Sequence, residues 1–131
     1  MTRKGAPSEV IRSADCGNSP KNALVESLTI ALLKRDAGAV LANVTGDVEW
    51  RIAGGPVLRG RDAVVRALRE DAKDGIASIR IDHALTHGRA GAVSGRVTFR
   101  GGRGFEFCDV HELSNAKGTS VSRITSYRIE C

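Results

Sequence analysis

From Ile79 to Glu130 apolar and polar residues alternate in four successive runs, separated by turns that carry glycine. A two-residue period is the signature of half-buried strands, and runs joined by short turns pair as an antiparallel meander. Ile79, Ile81, His83 and Leu85 alternate with Arg80, Asp82 and Thr86. After Gly88, Val93, Val97 and Phe99 alternate with Ser94, Arg96 and Thr98, and Gly101-Gly102-Arg103-Gly104 turns the chain. Phe105, Phe107, Asp109, His111 and Leu113 then share one face, opposite Glu106, Cys108, Val110 and Glu112. The polar turn Asn115-Ala116-Lys117-Gly118 leads to a last strand at about 120–130.

The first half reads differently. Residues 1–19 mix Gly, Pro, Ser, Asn and charge without periodicity, so a flexible tail is expected there, ahead of one domain over 20–131. Ser19-Pro20 is a helix start, with serine as cap and proline at the first helical position. Leu24, Leu28, Ala31 and Leu32 make an apolar stripe with Val25 beside them, which predicts a helix over about 20–35 and a short one over Ala39–Val44. Val48, Trp50 and Ile52 alternate with Glu49 and Arg51 as a strand, and Val57-Leu58-Arg59 returns after Gly54-Gly55-Pro56. A helix over roughly Arg61–Lys73 buries Val64, Val65, Leu68 and Ala72. Helices gathered ahead of a meander predict an α+β fold with the helices on one face of the sheet.

At 131 residues this is one domain's worth of chain, with an aliphatic core. The net charge of +5 comes mostly from arginines spread along the polar positions, and with few aromatics to stack on bases nucleic acid is not an expected partner. Cys16, Cys108 and Cys131 are odd in number and dispersed, which favours a reducing, cytoplasmic setting over a disulfide scaffold. Residues 1–19 lack the apolar core of a signal peptide, and no run approaches the ~20 apolar residues of a membrane helix. No metal and no other cofactor is expected, because there is no CxxC or HxH and alternation turns Cys108 away from His111.

The order of elements resembles the nuclear-transport-factor-two-like superfamily, with its SnoaL-like cyclases, ketosteroid isomerases and limonene epoxide hydrolases. Arg35-Asp36, Asp47-Val48-Glu49-Trp50, Leu58-Arg59-Gly60-Arg61-Asp62-Ala63-Val64 and the segment Phe105–Leu113 carry the resemblance, followed by Val121, Ile124 and Tyr127. It implies a cone-shaped, curved, mostly antiparallel sheet wrapped around the N-terminal helices with one internal pocket, and a homodimer paired through the outer sheet face. It also implies acid–base work on an apolar polyketide- or steroid-like molecule. Residue by residue the match is partial. The isomerases' base falls at Trp50 or Arg51, their first-helix tyrosine near Ser27 or Leu28, and the hydrolases' arginine at Phe107. Only Asp109 matches a functional acid, the one those isomerases keep protonated.

Asp109 is therefore the sharpest candidate. Its face is apolar, and a buried carboxyl needs either a raised pKa or a partner. It is a catalytic acid/base, with His111 two residues on as its assistant, or else a structural carboxyl. Trp50, His83, Phe107 and Tyr127 are the expected pocket-lining residues, and each also reads as core or, for Tyr127, as outward-facing.

Overall fold

The protein's structure, a computed structural model, describes residues 8–12, 19–70, 75–115 and 118–131. Its elements in chain order are β1 (Glu9–Arg12), α1 (Pro20–Lys34), α2 (Ala37–Ala42), β2 (Val44–Ile52), β3 (Val57–Arg59), α3 (Arg61–Glu70), β4 (Ile76–His87), β5 (Ala90–Phe99), β6 (Gly104–Leu113) and β7 (Val121–Glu130). Helix α1 begins where Ser19, in an extended conformation, accepts a hydrogen bond from the Asn22 amide, with Pro20 next to it. It ends at Arg35, whose left-handed φ of 60° lets its amide reach the carbonyls of Ala31 and Leu32. Asp36 follows at once as the cap of α2, accepting from the Ala39 amide.

The strands form one seven-stranded sheet in the order β1-β4-β5-β6-β7-β2-β3. Strands β4 to β7 are the expected antiparallel meander. β7 continues into β2 in parallel, and β3 closes that edge as an antiparallel hairpin partner of β2. The fold is α+β, with a sheet that is mostly antiparallel and not closed into a barrel. Helix α1 lies across β4 and β5, and α3 lies against β2 and β3. Val25, Leu28 and Leu32 of α1, Val64 and Leu68 of α3, and Ile79, Ile81, Val93, Val97 and Phe107 of the sheet are buried in a single core. Helix and sheet approach closely. A Cβ built on Gly91 would stand 2.9 Å from Val25 Cγ1, so β5 needs a bare backbone beneath α1.

Three expectations need correction. Within the segment read as a flexible tail, Glu9–Arg12 is an edge strand parallel to β4, from Glu9 opposite Ser78 to Arg12 opposite Ile81. Arg12 ties it to α1, its Nε 2.6 Å from Glu26 Oε1. The pairing rests on backbone groups, which leave little trace in side-chain periodicity. Residues 1–7 and 13–18 lie outside the described residues, as do 71–74, where the third helix was expected to end, and 116–117 of the polar turn.

The other two corrections concern sheet faces. His83 is exposed, because the register slips between Ile81 and His83 and a bulge there reverses the alternation. Ile79 and Ile81 point inward before it, and Ala84 after it. Tyr127 is 46% exposed for the same reason. The β6–β7 register shifts between Leu113 opposite Val121 and Glu112 opposite Arg123, so that Val121, Ile124 and Ser126 are all buried and Tyr127 faces out. Neither side chain lines the interior.

Candidate functional site

Strand β6 runs without a register shift from Phe105 to Glu112, and its alternation is as the sequence suggests. Phe107, Asp109, His111 and Leu113 all face inward, Asp109 and His111 at 0% exposure. Across the next hydrogen-bonded rungs, Asp109 stands opposite Ser126 on β7 and His111 opposite Gly91 on β5. Helix α1 covers them from above with Thr29, which is itself fully buried.

Thr29 links the acid and the base of the site. Its Oγ1 donates to Asp109 Oδ2 at 3.1 Å and lies 3.0 Å from His111 Nε2. A threonine hydroxyl carries one proton, so while it donates to Asp109 the ring must hold its proton on Nε2 and donate to Oγ1. Asp109 Oδ1 and His111 Nδ1 are left buried with no hydrogen-bond partner among the described residues. On the other side Trp50 Nε1 donates to Ser126 Oγ at 3.0 Å, so the indole holds the serine that faces Asp109. Arg35 rests its guanidinium over the Trp50 ring, 6.0 Å from the centroid, and Arg128 sits over Phe105 at 5.3 Å. Arg35 keeps this place at the end of α1 despite a left-handed backbone that favours glycine or asparagine.

Burial governs the electrostatics. It pushes the Asp109 carboxyl above its ordinary 3.8, while the Ser126 hydroxyl, the Arg128 charge and the Thr29 hydroxyl pull the other way. Burial lowers His111 to about 4, and the backbone of Gly91, which favours the charged ring, only partly offsets this. The imidazole is therefore neutral at neutral pH. A carboxyl held toward its acid form beside a neutral imidazole gives a proton donor and a proton acceptor in one dry place.

Of the residues singled out from sequence, the structure gathers Asp109, His111, Phe107 and Trp50 around this interior, and leaves His83 and Tyr127 on the outer face. There they share one row with Ser94 and Cys108. Thr29 and Ser126 were missed. Thr29 falls four residues after Val25 and three before Leu32, on the apolar stripe of α1, where a hydroxyl must find a buried partner. Among the described residues no three His, Cys, Asp or Glu side chains come together as a metal site.

The SnoaL-like domain matches residues 25–124 of this sequence, from α1 into β7. The chain belongs to the SnoaL-like family. No curated protein matches this SnoaL-like domain. Its fold is that of an NTF2-like protein of unknown function from Cytophaga hutchinsonii, with a TM-score of 0.66 and 20% identity over 83% of this chain and 99% of that one. It is also similar to an epoxide hydrolase of limonene-epoxide-hydrolase-like type from Mycobacterium tuberculosis, at TM-score 0.64, 19% identity, and 82% and 76% coverage. An epoxide hydrolase/cyclase-like enzyme with a role in pyran ring formation in the polyether salinomycin superposes at TM-score 0.68, with 16% identity over 83% and 90% of the two chains. These likenesses establish the cone-like NTF2 architecture for this SnoaL-like domain. Among its described residues no helix is long and apolar enough to cross a membrane.

Proposed function

We propose that this SnoaL-like domain is a cytoplasmic small-molecule protein of isomerase or cyclase type, acting by general acid–base chemistry at Asp109 with His111. The ligand is apolar and polyketide- or steroid-like, since Asp109 is buried on the face of the sheet that carries the aliphatic and aromatic core, with Val93 opposite it on β5 and Phe107 beside it on β6. One observation carries the reading: a fully buried carboxyl whose Oδ1 has no partner, beside a neutral histidine whose Nδ1 has none. A purely structural carboxyl would be expected to have its oxygens satisfied. Both groups are closed off from solvent, so a ligand reaches them only once the covering elements open. The neighbours with epoxide hydrolase and cyclase descriptions support chemistry of this class in the same architecture.

A second reading, a non-catalytic ligand-binding or dimerisation module, draws on β2. There Trp50 and Arg51 stand where the ketosteroid isomerases have their base. The two readings separate with an enolisable probe, cyclohex-3-enone, followed by ultraviolet absorbance as the double bond moves into conjugation. Asp109→Asn should lower the wild-type rate about 10²–10⁴-fold, the usual contribution of a positioned acid or base. No turnover by the wild type, or equal turnover by the variant, would favour the binding module.

A further inference from the structure

Thr29, rather than Asp109 or His111, is the part of this cluster with the least freedom. Its single hydroxyl proton has two claimants, Asp109 Oδ2 at 3.1 Å and His111 Nε2 at 3.0 Å. Two arrangements keep the Thr29 proton within the cluster while leaving all three groups uncharged and both contacts hydrogen-bonded. In the first, the Asp109 proton is on Oδ1, Thr29 donates to Oδ2, the ring donates from Nε2, and Nδ1 carries a lone pair. In the second, the Asp109 proton is on Oδ2 and donates to Thr29, Thr29 donates to Nε2, and the ring proton is on Nδ1. Oδ2 and Nε2 exchange donor and acceptor roles across Thr29, and the outer ends of the exchange are Oδ1, which loses its proton, and Nδ1, which gains one. These are the two buried atoms of the pair that have no partner.

We propose that Thr29 joins Asp109 and His111 into one neutral relay, in which gain of a proton at His111 Nδ1 and loss of one at Asp109 Oδ1 are a single coupled event. This rests on the acid–base reading above and takes its substrate, an enolisable carbonyl compound, from that reading. The bookkeeping closes. Nδ1 takes the proton from carbon, and the C–H electron pair becomes the C=C bond of the enol. The Nε2 proton passes to Thr29 Oγ1, the Thr29 proton passes to Asp109 Oδ2, and the Oδ1 proton goes to the carbonyl oxygen, whose π pair accepts it. Running the shift backward with return to a different carbon isomerises the substrate and resets the site. No ion is created at any stage within the cluster, which suits a place where an isolated charge would be costly. The low basicity of His111 and the raised pKa of Asp109 are consistent with this neutral pair. The charged group that bears on it is Arg128 from β7, while β5 and α1 present Gly91, Val93 and Thr29. In this scheme Thr29 is a positioning residue, since it acts through its two neighbours and does not touch the substrate.

The relay is measured without any ligand. Histidine labelled with ¹⁵N reports the tautomer ratio of His111 at neutral pH through the shifts of its two ring nitrogens. Asp109→Asn changes what Thr29 must hydrogen-bond, and the relay transmits this to the ring. The tautomer ratio should move about fivefold or more, the worth of one net hydrogen bond. The same substitution in a Thr29→Val background should leave the ratio where Thr29→Val alone puts it, and Thr29→Ser should restore the response. Equal responses with and without Thr29, no response in either, or a cationic His111 at neutral pH would each overturn the relay. Should Thr29→Val not fold, Thr29→Ala serves as the uncoupled background. The acid–base reading is judged separately by cyclohex-3-enone turnover. Turnover lost in Asp109→Asn but kept in Thr29→Val would remove the relay and leave that reading standing.

Discussion

Asp109 has neighbours that favour its charged form, yet burial outweighs them, so the folded state holds this proton more tightly than the unfolded chain does. Stability from this group is therefore greatest at low pH and is lost as pH rises above the ordinary 3.8. His111 has the opposite sign. Its folded pKa of about 4 lies below 6.5, so the unfolded chain binds the extra proton between those values and stability rises with pH across that window. In the wild type the two slopes oppose each other. Asp109→Asn should expose the His111 slope alone, a gain of up to about 3 kcal/mol between acid and neutral pH. Urea melts across that range would show it. At neutral pH the same variant should be as stable as the wild type or more so, as is common when a functional polar group held in an apolar site is replaced. A loss of about 1–3 kcal/mol would instead mark Asp109 as a structural hydrogen-bond partner.

At the scale of strands, what decides whether a residue faces the interior is the count of residues since the last bulge. On β6 that count is unbroken, and Phe107, Asp109 and His111 could be placed from sequence alone. On β4 the shift between Ile81 and His83, and on β7 the shift just after Val121, reverse the alternation, so that His83 and Tyr127 face out. A bulge is set by partner geometry, and the strand that carries it gives no periodic sign of it. Its trace lies across the ladder. Gly95 pairs with Ile81 beside the β4 bulge, and a Cβ there would stand 1.8 Å from the Arg80 carbonyl oxygen. Gly95→Ala should therefore cost about 3 kcal/mol, the upper end of what overpacking usually brings, or undo the bulge. Thermal melts give the cost, and amide exchange along β4 tells whether the register has slipped. The edge strand β1 yields a milder expectation. Removing residues 1–12 takes away the Arg12 partner of a Glu26 side chain only 10% exposed, as well as the pairing along β4. The shortened domain should fold but lose about 1–2 kcal/mol. An unchanged melt would show that β1 adds nothing to the sheet.

The whole molecule leaves one surface unexplained by its own core, the outer face of the meander. Leu85, Ala92, Val110 and Thr125 follow one another across four strands in register, with Cys108 and Tyr127 in the neighbouring row. Leu85 is 57% exposed, Val110 39%, Tyr127 46% and Ile129 70%. Leu85, Ala92 and Val110 also line a shallow apolar groove by the β4–β5 turn. Two of the charged pairs around this band are matched within the chain: Arg80 Nε is 2.8 Å from Asp82 Oδ1, and Arg123 Nη1 is 3.1 Å from Glu112 Oε2. A second copy could approach without meeting a field of one sign. Apolar area rimmed by paired charge is the composition of an interface, and a two-fold arrangement lets one patch serve as both partners. A homodimer through this face is the expected state, with about 800 Å² covered on each subunit if it is of standard size. Val110→Glu places a charge in the middle of the band, on a side chain the core does not use, and should give a folded monomer with an unchanged tautomer ratio at His111. Sedimentation equilibrium at micromolar concentration decides between the outcomes. A wild type that sediments as a monomer, or a Val110→Glu variant that stays a dimer, would put the subunit contact elsewhere.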